Sequence, residues 1–157
     1  NACHIACVAV DAATGLVDVE RYIVVHDCGR VINPLLVKGQ VQGGVAQGLG
    51  QALFEEVLYD PDGQLLSATL MDYLVPTAQD VPALEMEHIE SPATDNIGGF
   101  KGAGEGGVIG ALPAIACAVG DALAPLGGNV NCLPLRPDTV LDLIEGGNVQ
   151  LKAWLSN

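Results

Sequence analysis

The sequence predicts an α+β fold, mixed sheet layers with two glycine-rich helices. Three observations predict it. Two apolar, partly β-branched stretches flank turn residues at Asp11-Ala12-Ala13-Thr14-Gly15. A helix start at Asn33-Pro34 precedes apolar residues spaced four apart. A glycine-rich stretch at residues 98–110 then leads into a second apolar helical pattern.

Residues 4–10 and 16–27 read as the two strands of an antiparallel hairpin. The second alternates imperfectly, with Val17, Val19, Tyr22 and Val24 set against Asp18, Glu20 and Arg21. Asn33 suits an N-cap and Pro34 the first helical position. The helix is predicted to run to about Val57, with Val37, Val41, Val45, Leu49, Leu53 and Val57 as its apolar stripe. It also carries Gly39, Gly43, Gly44, Gly48 and Gly50. Each costs about 1 kcal/mol of helix stability against Ala. Close approach of another backbone or of a ligand would compensate, and simple helix packing is the plainer alternative.

Tyr59-Asp60-Pro61-Asp62-Gly63-Gln64 is turn chemistry, with a short strand expected over Leu65–Leu70. Leu84 to Glu90 alternates with period two, as a half-buried strand does. Pro113 is expected to open a helix to about Ala124, with Leu112, Ile115, Ala116, Val119 and Leu123 on one face. A last strand is expected at 130–135 and a short helix over Asp138–Leu143. The chain thus divides into a hairpin plus long helix at 1–80, a strand, glycine-rich loop and helix at 81–145, and a tail at 146–157. Trp154 is the tail's one candidate anchor.

Nineteen acidic residues against six basic give a formal charge of −13. That argues against nucleic acid and anionic membrane surfaces, which need clustered Lys and Arg. An anionic ligand would have to be held by backbone N–H groups and helix N-termini. Cys3, Cys7, Cys28, Cys117 and Cys132 contain no C-x-x-C, so a metal centre inside this chain is not expected. Their scatter suits a reducing, cytoplasmic compartment, with the periplasm left open. The start at Asn1-Ala2, running straight into a strand, reads as a piece of a longer protein.

Seven of the thirteen residues from Gly98 to Gly110 are glycine. Glycine loses the most backbone entropy on ordering, so such a run needs a reason. Forbidden dihedrals or a ligand lying against the main chain would supply one; a flexible linker would not explain Phe100, Val108 and Ile109. Glu105 sits inside the run, flanked by residues too small to cover it. A carboxylate held there, before an apolar helix, reads as a positioned acid or base, and a dry pocket would make it the better base. Lys101 is the only Lys or Arg between Lys38 and Arg136. Gln40 and Gln42 suit either a heterocycle edge, since an amide donates and accepts, or a solvated helix face. His26 and Cys28 read as structural, because neighbours on a strand point to opposite faces. The spacing Gly102-x-Gly104-x-x-Gly107 is not preceded by an apolar strand, which rejects a dinucleotide reading.

Lys101-Gly102-Ala103-Gly104-Glu105-Gly106-Gly107 resembles the K-G-x-G-E segment of the molybdenum hydroxylases. That family includes xanthine dehydrogenase, aldehyde oxidoreductase and aerobic carbon monoxide dehydrogenase. Asp27-Cys28-Gly29, Asn33-Pro34, Gly39 to Gly44, Ala46 to Gly50 and Leu133 to Pro137 are similar to segments of the same subunit, in order. The resemblance implies the C-terminal portion of a molybdopterin-binding large subunit, inactive alone. It implies hydroxylation of an aldehyde or N-heterocycle carbon with oxygen from water, and Glu105 as general base. It further implies cofactor contacts at Gln40, Lys101, Gly102, Ala103 and Gly104, and no metal ligand in this chain. The cofactor would be molybdopterin with molybdenum, in the cytosine dinucleotide form. Iron–sulfur clusters and FAD would lie on other domains or subunits, which with the rest of the large subunit are the expected partners. The isolated chain is expected to self-associate through surfaces meant for the rest. The competing reading is a non-catalytic interaction module that keeps the fold without the cofactor.

Overall fold

The computed structural model describes residues 1–146. The tail beyond, with Trp154, lies outside the described residues. Strand β1 (Ala2–Val10) pairs antiparallel with β2 (Val17–His26), and β3 (Leu84–His88) adds in parallel on the other side of β2. The sheet is therefore mixed, in the order β1-β2-β3. Helix α1 spans Pro34–Leu53, α2 Ala111–Leu123 and α3 Pro137–Ile144. No helix among the described residues is long and apolar enough to cross a membrane.

The imperfect alternation of the second strand has a geometric cause. The register shifts between Cys7 and Val8, so Cys7 faces Arg21 while Val8 faces Val19. The extra residue, Glu20, is a β-bulge, and it lets Val19 and Tyr22 both point inward although three apart. The hairpin turn ends at Gly15, whose φ of 74° favours glycine. A Cβ there would strike the Pro137 carbonyl, so the turn packs against the start of α3.

Helix α1 starts as its sequence dictates. Asn33 is extended, and its side chain accepts from the Leu35 and Leu36 N–H groups at 3.1 and 3.3 Å. The helix ends at Leu53 rather than Val57. Beyond it the chain turns back, the Phe54 and Glu55 N–H groups both donating to the Gly50 carbonyl. The Glu55 carboxylate lies where a side chain at Gly50 would sit, and accepts from the Tyr73 hydroxyl. Val57 is left exposed.

Two expected strands do not form. Around 59–65 there is only a single bridge, Tyr59 to Leu65, and no strand follows. Residues 130–135 make no ladder; the Leu135 N–H instead caps the α1 carbonyl of Ala52 at 2.7 Å. The glycines of the second rich stretch precede α2, in turns, and within α2 only Gly120 remains. Helix α2 starts at Ala111, two residues before Pro113, which the first turn of a helix tolerates.

The core lies between the sheet and the helices. Tyr22 and Val24 meet Val41, Val45 and Leu49 of α1 and Ile115, Val119 and Leu123 of α2, with Val140 and Leu143 closing one end. Each of these aliphatic side chains contributes about 1.5–3 kcal/mol by burial. This packing holds the start of α2, and the glycine stretch before it, against His4 of β1, the end of β2 and the middle of α1.

Candidate functional site

The glycine stretch is fastened at its start by an antiparallel bridge between Gly29 and Phe100. The Lys101 N–H donates to the Cys28 carbonyl at 2.8 Å, and the Arg30 N–H to the Gly99 carbonyl at 3.1 Å. Gly29 has φ of 68°, and any Cβ on it would overlap the Gly99 carbonyl. Beneath this bridge lies Asp27, 9% exposed. One carboxylate oxygen accepts from Gly29 N–H (2.8 Å) and Ser91 N–H (3.2 Å); the other accepts from the Lys101 ammonium at 2.7 Å. The lysine and these N–H groups hold the Asp27 carboxyl well below the usual carboxylate range.

Further along, Glu105 is carried between two anchored carbonyls. The Gln40 amide, from α1, donates to the Gly104 carbonyl at 2.8 Å. The His4 imidazole, from β1, lies 2.9 Å from the Gly106 carbonyl through Nε2. The Glu105 carbonyl itself accepts from the Val108 and Ile109 N–H groups at 3.0 and 3.1 Å. Its main chain is thus held while its side chain stays exposed, lining a cleft of about 560 Å³ with His4, His26, Gly102, Gly104 and Ile109.

Two histidines sit under this cleft. His26 is 1% exposed and packs beneath Gly106, where a Cβ would fall inside the imidazole. Its ring meets His88 edge-on with centroids 6.1 Å apart. Burial lowers the pKa of both His26 and His4 from the ordinary 6.5, which favours neutral rings. Burial also raises Tyr22, whose hydroxyl is 2.9 Å from His4 Nδ1.

The structure brings Gln40, Gly102, Ala103, Gly104 and Glu105 to one place. Lys101 is there too, but its ammonium is taken up by Asp27 and so fixes the loop. The expected dry pocket is not formed within this chain, because Glu105 is exposed. A closed site needs walls from elsewhere. His4 and Tyr22 were not singled out as site residues by sequence reasoning, and Asp27 entered only as part of the Asp27-Cys28-Gly29 resemblance. Their partners in the glycine stretch lie 102 residues from His4 and 74 from Asp27. The only local signal is a histidine at an inward-facing strand position.

Comparison with known proteins places this geometry in a family. The sequence model of the molybdopterin cofactor-binding domain matches residues 1–82. The chain belongs to that family. Among its relatives, the nicotine 6-hydroxylase large subunit of Paenarthrobacter nicotinovorans is 43% identical over 146 residues, 93% of this chain and 18% of that protein. Quinoline 2-oxidoreductase from Pseudomonas putida 86 superposes with a TM-score of 0.88 at 46% identity, covering 90% of this chain and 18% of that one. A Cu,Mo-CO dehydrogenase chain superposes with a TM-score of 0.89 at 31% identity, covering 94% of this chain and 19% of its own length. The α+β fold is that of molybdenum hydroxylase large subunits, and the chain spans about a fifth of the length of these relatives.

Proposed function

We propose that the chain is the C-terminal part of the large subunit of a molybdopterin-dependent hydroxylase, with Glu105 as its general base. The reaction is oxidation of an electron-poor carbon in an aldehyde or N-heterocycle, with oxygen from water. The observation that carries this reading is the local arrangement of Glu105. Its carboxylate faces a cleft, its flanking carbonyls are both held, and the glycines before it are bare.

The residues present fit the cofactor. A Cβ on Gly102 or Gly104 would meet nothing within 4 Å, so open space lies against the main chain there. Among the described residues, the N–H groups of Gly102, Ala103 and Gly104 donate to no backbone acceptor. They can serve an anionic, oxygen-rich ligand in a chain whose charge is −13. Gln40 orients the Gly104 peptide, and Lys101 with Asp27 fixes where the segment begins. The bound molybdenum centre supplies a Lewis acid that activates water and a sink for two electrons. Glu105 accepts a proton at its carboxylate as oxygen passes to the substrate carbon. The remaining walls, the cytosine dinucleotide form of the cofactor, and partner subunits with iron–sulfur and flavin groups complete the proposal.

The test is Glu105→Gln in the intact enzyme. Molybdenum and pterin contents stay at wild-type levels, and kcat falls by about 10²-fold or more, the range of a lost general base. Wild-type turnover in that variant would refute the assignment.

A further inference from the structure

The Gly106 carbonyl lies in the peptide that follows Gly106, one residue beyond Glu105, so holding it limits how the main chain on the C-terminal side of Glu105 can turn. The His4 ring reaches that peptide from β1. Its Nε2 lies 2.9 Å from the Gly106 carbonyl and its Nδ1 2.9 Å from the Tyr22 hydroxyl. A carbonyl only accepts, so Nε2 carries the proton. In a neutral ring Nδ1 is then an acceptor, and the Tyr22 hydroxyl donates to it. Tyr22 is fully buried in the core, where the bulge of β2 turns it inward. The ring is also confined sterically, because a Cβ on Gly110 would fall inside it. The imidazole therefore has one orientation and one tautomer, both set from the core.

Resting on the Glu105 reading, we propose that His4 is a positioning residue for Glu105, with Tyr22 selecting the tautomer that grips the Gly106 carbonyl. Gln40 holds the preceding carbonyl from the other side, so the two side chains fix the backbone on both flanks of the base. A base displaced by even 1 Å loses about 10²-fold in rate. A displaced base slows the chemical step more than it weakens the binding of substrate. The same arrangement explains why residue 110 is glycine: a methyl group there would push the ring off its carbonyl.

The experiment compares four variants of the intact, cofactor-loaded enzyme. His4→Leu removes the donor and lowers kcat by about tenfold or more, with KM and molybdenum content unchanged. Hydrogen exchange at the Val108 and Ile109 amides, which bond the Glu105 carbonyl, rises by about tenfold over the wild type. His4→Gln places an amide N–H near the position of Nε2 and restores most of both losses. Tyr22→Phe frees the tautomer and lowers kcat by about threefold to tenfold, the value of one neutral hydrogen bond. Unchanged kcat and exchange in His4→Leu, or His4→Gln no better than His4→Leu, overturns the proposal. Should His4→Leu fail to fold, Tyr22→Phe decides: a lowered kcat at unchanged KM supports it, and an unchanged kcat overturns it. Glu105→Gln, run alongside, separates the two claims. If it is inactive while His4→Leu is normal, only the positioning role falls; if it turns over normally, the base assignment falls and takes this role with it.

Discussion

Two neighbouring parts of the glycine stretch, 102–104 and 106–110, are both rich in glycine and have opposite surroundings. Gly102 and Gly104 face open space, whereas Gly106, Gly107 and Gly110 are each pressed against another part of the chain. Gly107 lies on the α1 backbone at Val41 and Gly44, Gly106 on His26, and Gly110 on His4. Helix α1 divides in the same way. Gly39 and Gly43 are open, while Gly44 and Gly48 admit the main chain at Gly107–Val108 and the side chain of Ala111. One glycine set lets two parts of the chain touch; the other leaves main chain bare. Glu105 sits at the seam between them.

The sharpest way to break this comparison is to add a methyl group on each side. In Gly107→Ala, the new Cβ would lie 2.5 Å from the Val41 carbonyl oxygen and 2.9 Å from the Val41 Cα, atoms of a rigid helix that cannot step aside. Destabilisation of at least about 2–3 kcal/mol is expected. Gly44→Ala meets the backbone of Gly107 and Val108 at 2.8 Å and acts on the same contact. The double variant therefore loses less than the sum of the two. Chemical denaturation of the intact subunit measures all three, and strict additivity would mean that the two glycines do not share a contact.

Gly104→Ala is the converse. The structure leaves room for its methyl group, and stability changes by no more than about 0.5 kcal/mol. Molybdenum content falls severalfold if the bare main chain is where the cofactor lies. Full metal loading in Gly104→Val as well as Gly104→Ala would show that the open half faces only solvent.

How much of this could be read beforehand depends on the range of the interaction. The cap at Asn33-Pro34 and the apolar steps of α1 and α2 are local, and both helices form, although α1 ends at Leu53 rather than Val57 and α2 starts at Ala111 rather than Pro113. The parallel pairing of β3 with β2 is not local, since Tyr22 meets Leu84 across 62 residues, and alternation alone gives no partner. The expected strands at 65–70 and 130–135 are apolar stretches that pair with no strand of the sheet. Glu105 and the bareness around it were legible because composition records them directly. Which glycine is packed and which is open was not, because both look alike until the opposing backbone is placed. Lys101 shows the same limit: its charge was visible in the sequence, but not the aspartate 74 residues away that takes it up.

That ion pair ties the start of the glycine stretch to the end of β2, and its removal should have a smaller effect than a methyl group on Gly107. In Lys101→Met, Asp27 keeps its N–H donors from Gly29 and Ser91 but loses its cation. The unfolding midpoint falls by several degrees near neutral pH. The folded carboxyl of wild-type Asp27 titrates below its ordinary 3.8. Its contribution is therefore complete above 3.8 and is lost as pH falls through the depressed folded value. Wild type and variant should differ most near pH 7 and converge in strong acid. A difference that is constant with pH would mean that Lys101 acts by packing its methylenes rather than by its charge.

The smallest effect expected is a pH response confined to the packed half. His4 and His26 both titrate below 6.5 in the folded chain because burial disfavours the imidazolium. The unfolded chain takes up protons near 6.5, the folded chain only at lower pH, so stability is full above 6.5 and declines as pH drops toward the folded values. Asp27 contributes nothing to this interval, since its loss begins only near 3.8. Between pH 7.5 and 5.0 the loss is therefore weighted toward the histidines that lie against Gly106 and Gly110, since Glu85, held below its ordinary 4.5 by Arg21, contributes mainly at lower pH. Thermal unfolding at pH 7.5 and 5.0 should show a drop in midpoint for the wild type and a smaller one for His4→Gln, which keeps a donor to Gly106 but cannot titrate. An equal drop in both would assign the response to His26, and would leave the His4 ring as a purely steric and hydrogen-bonding support.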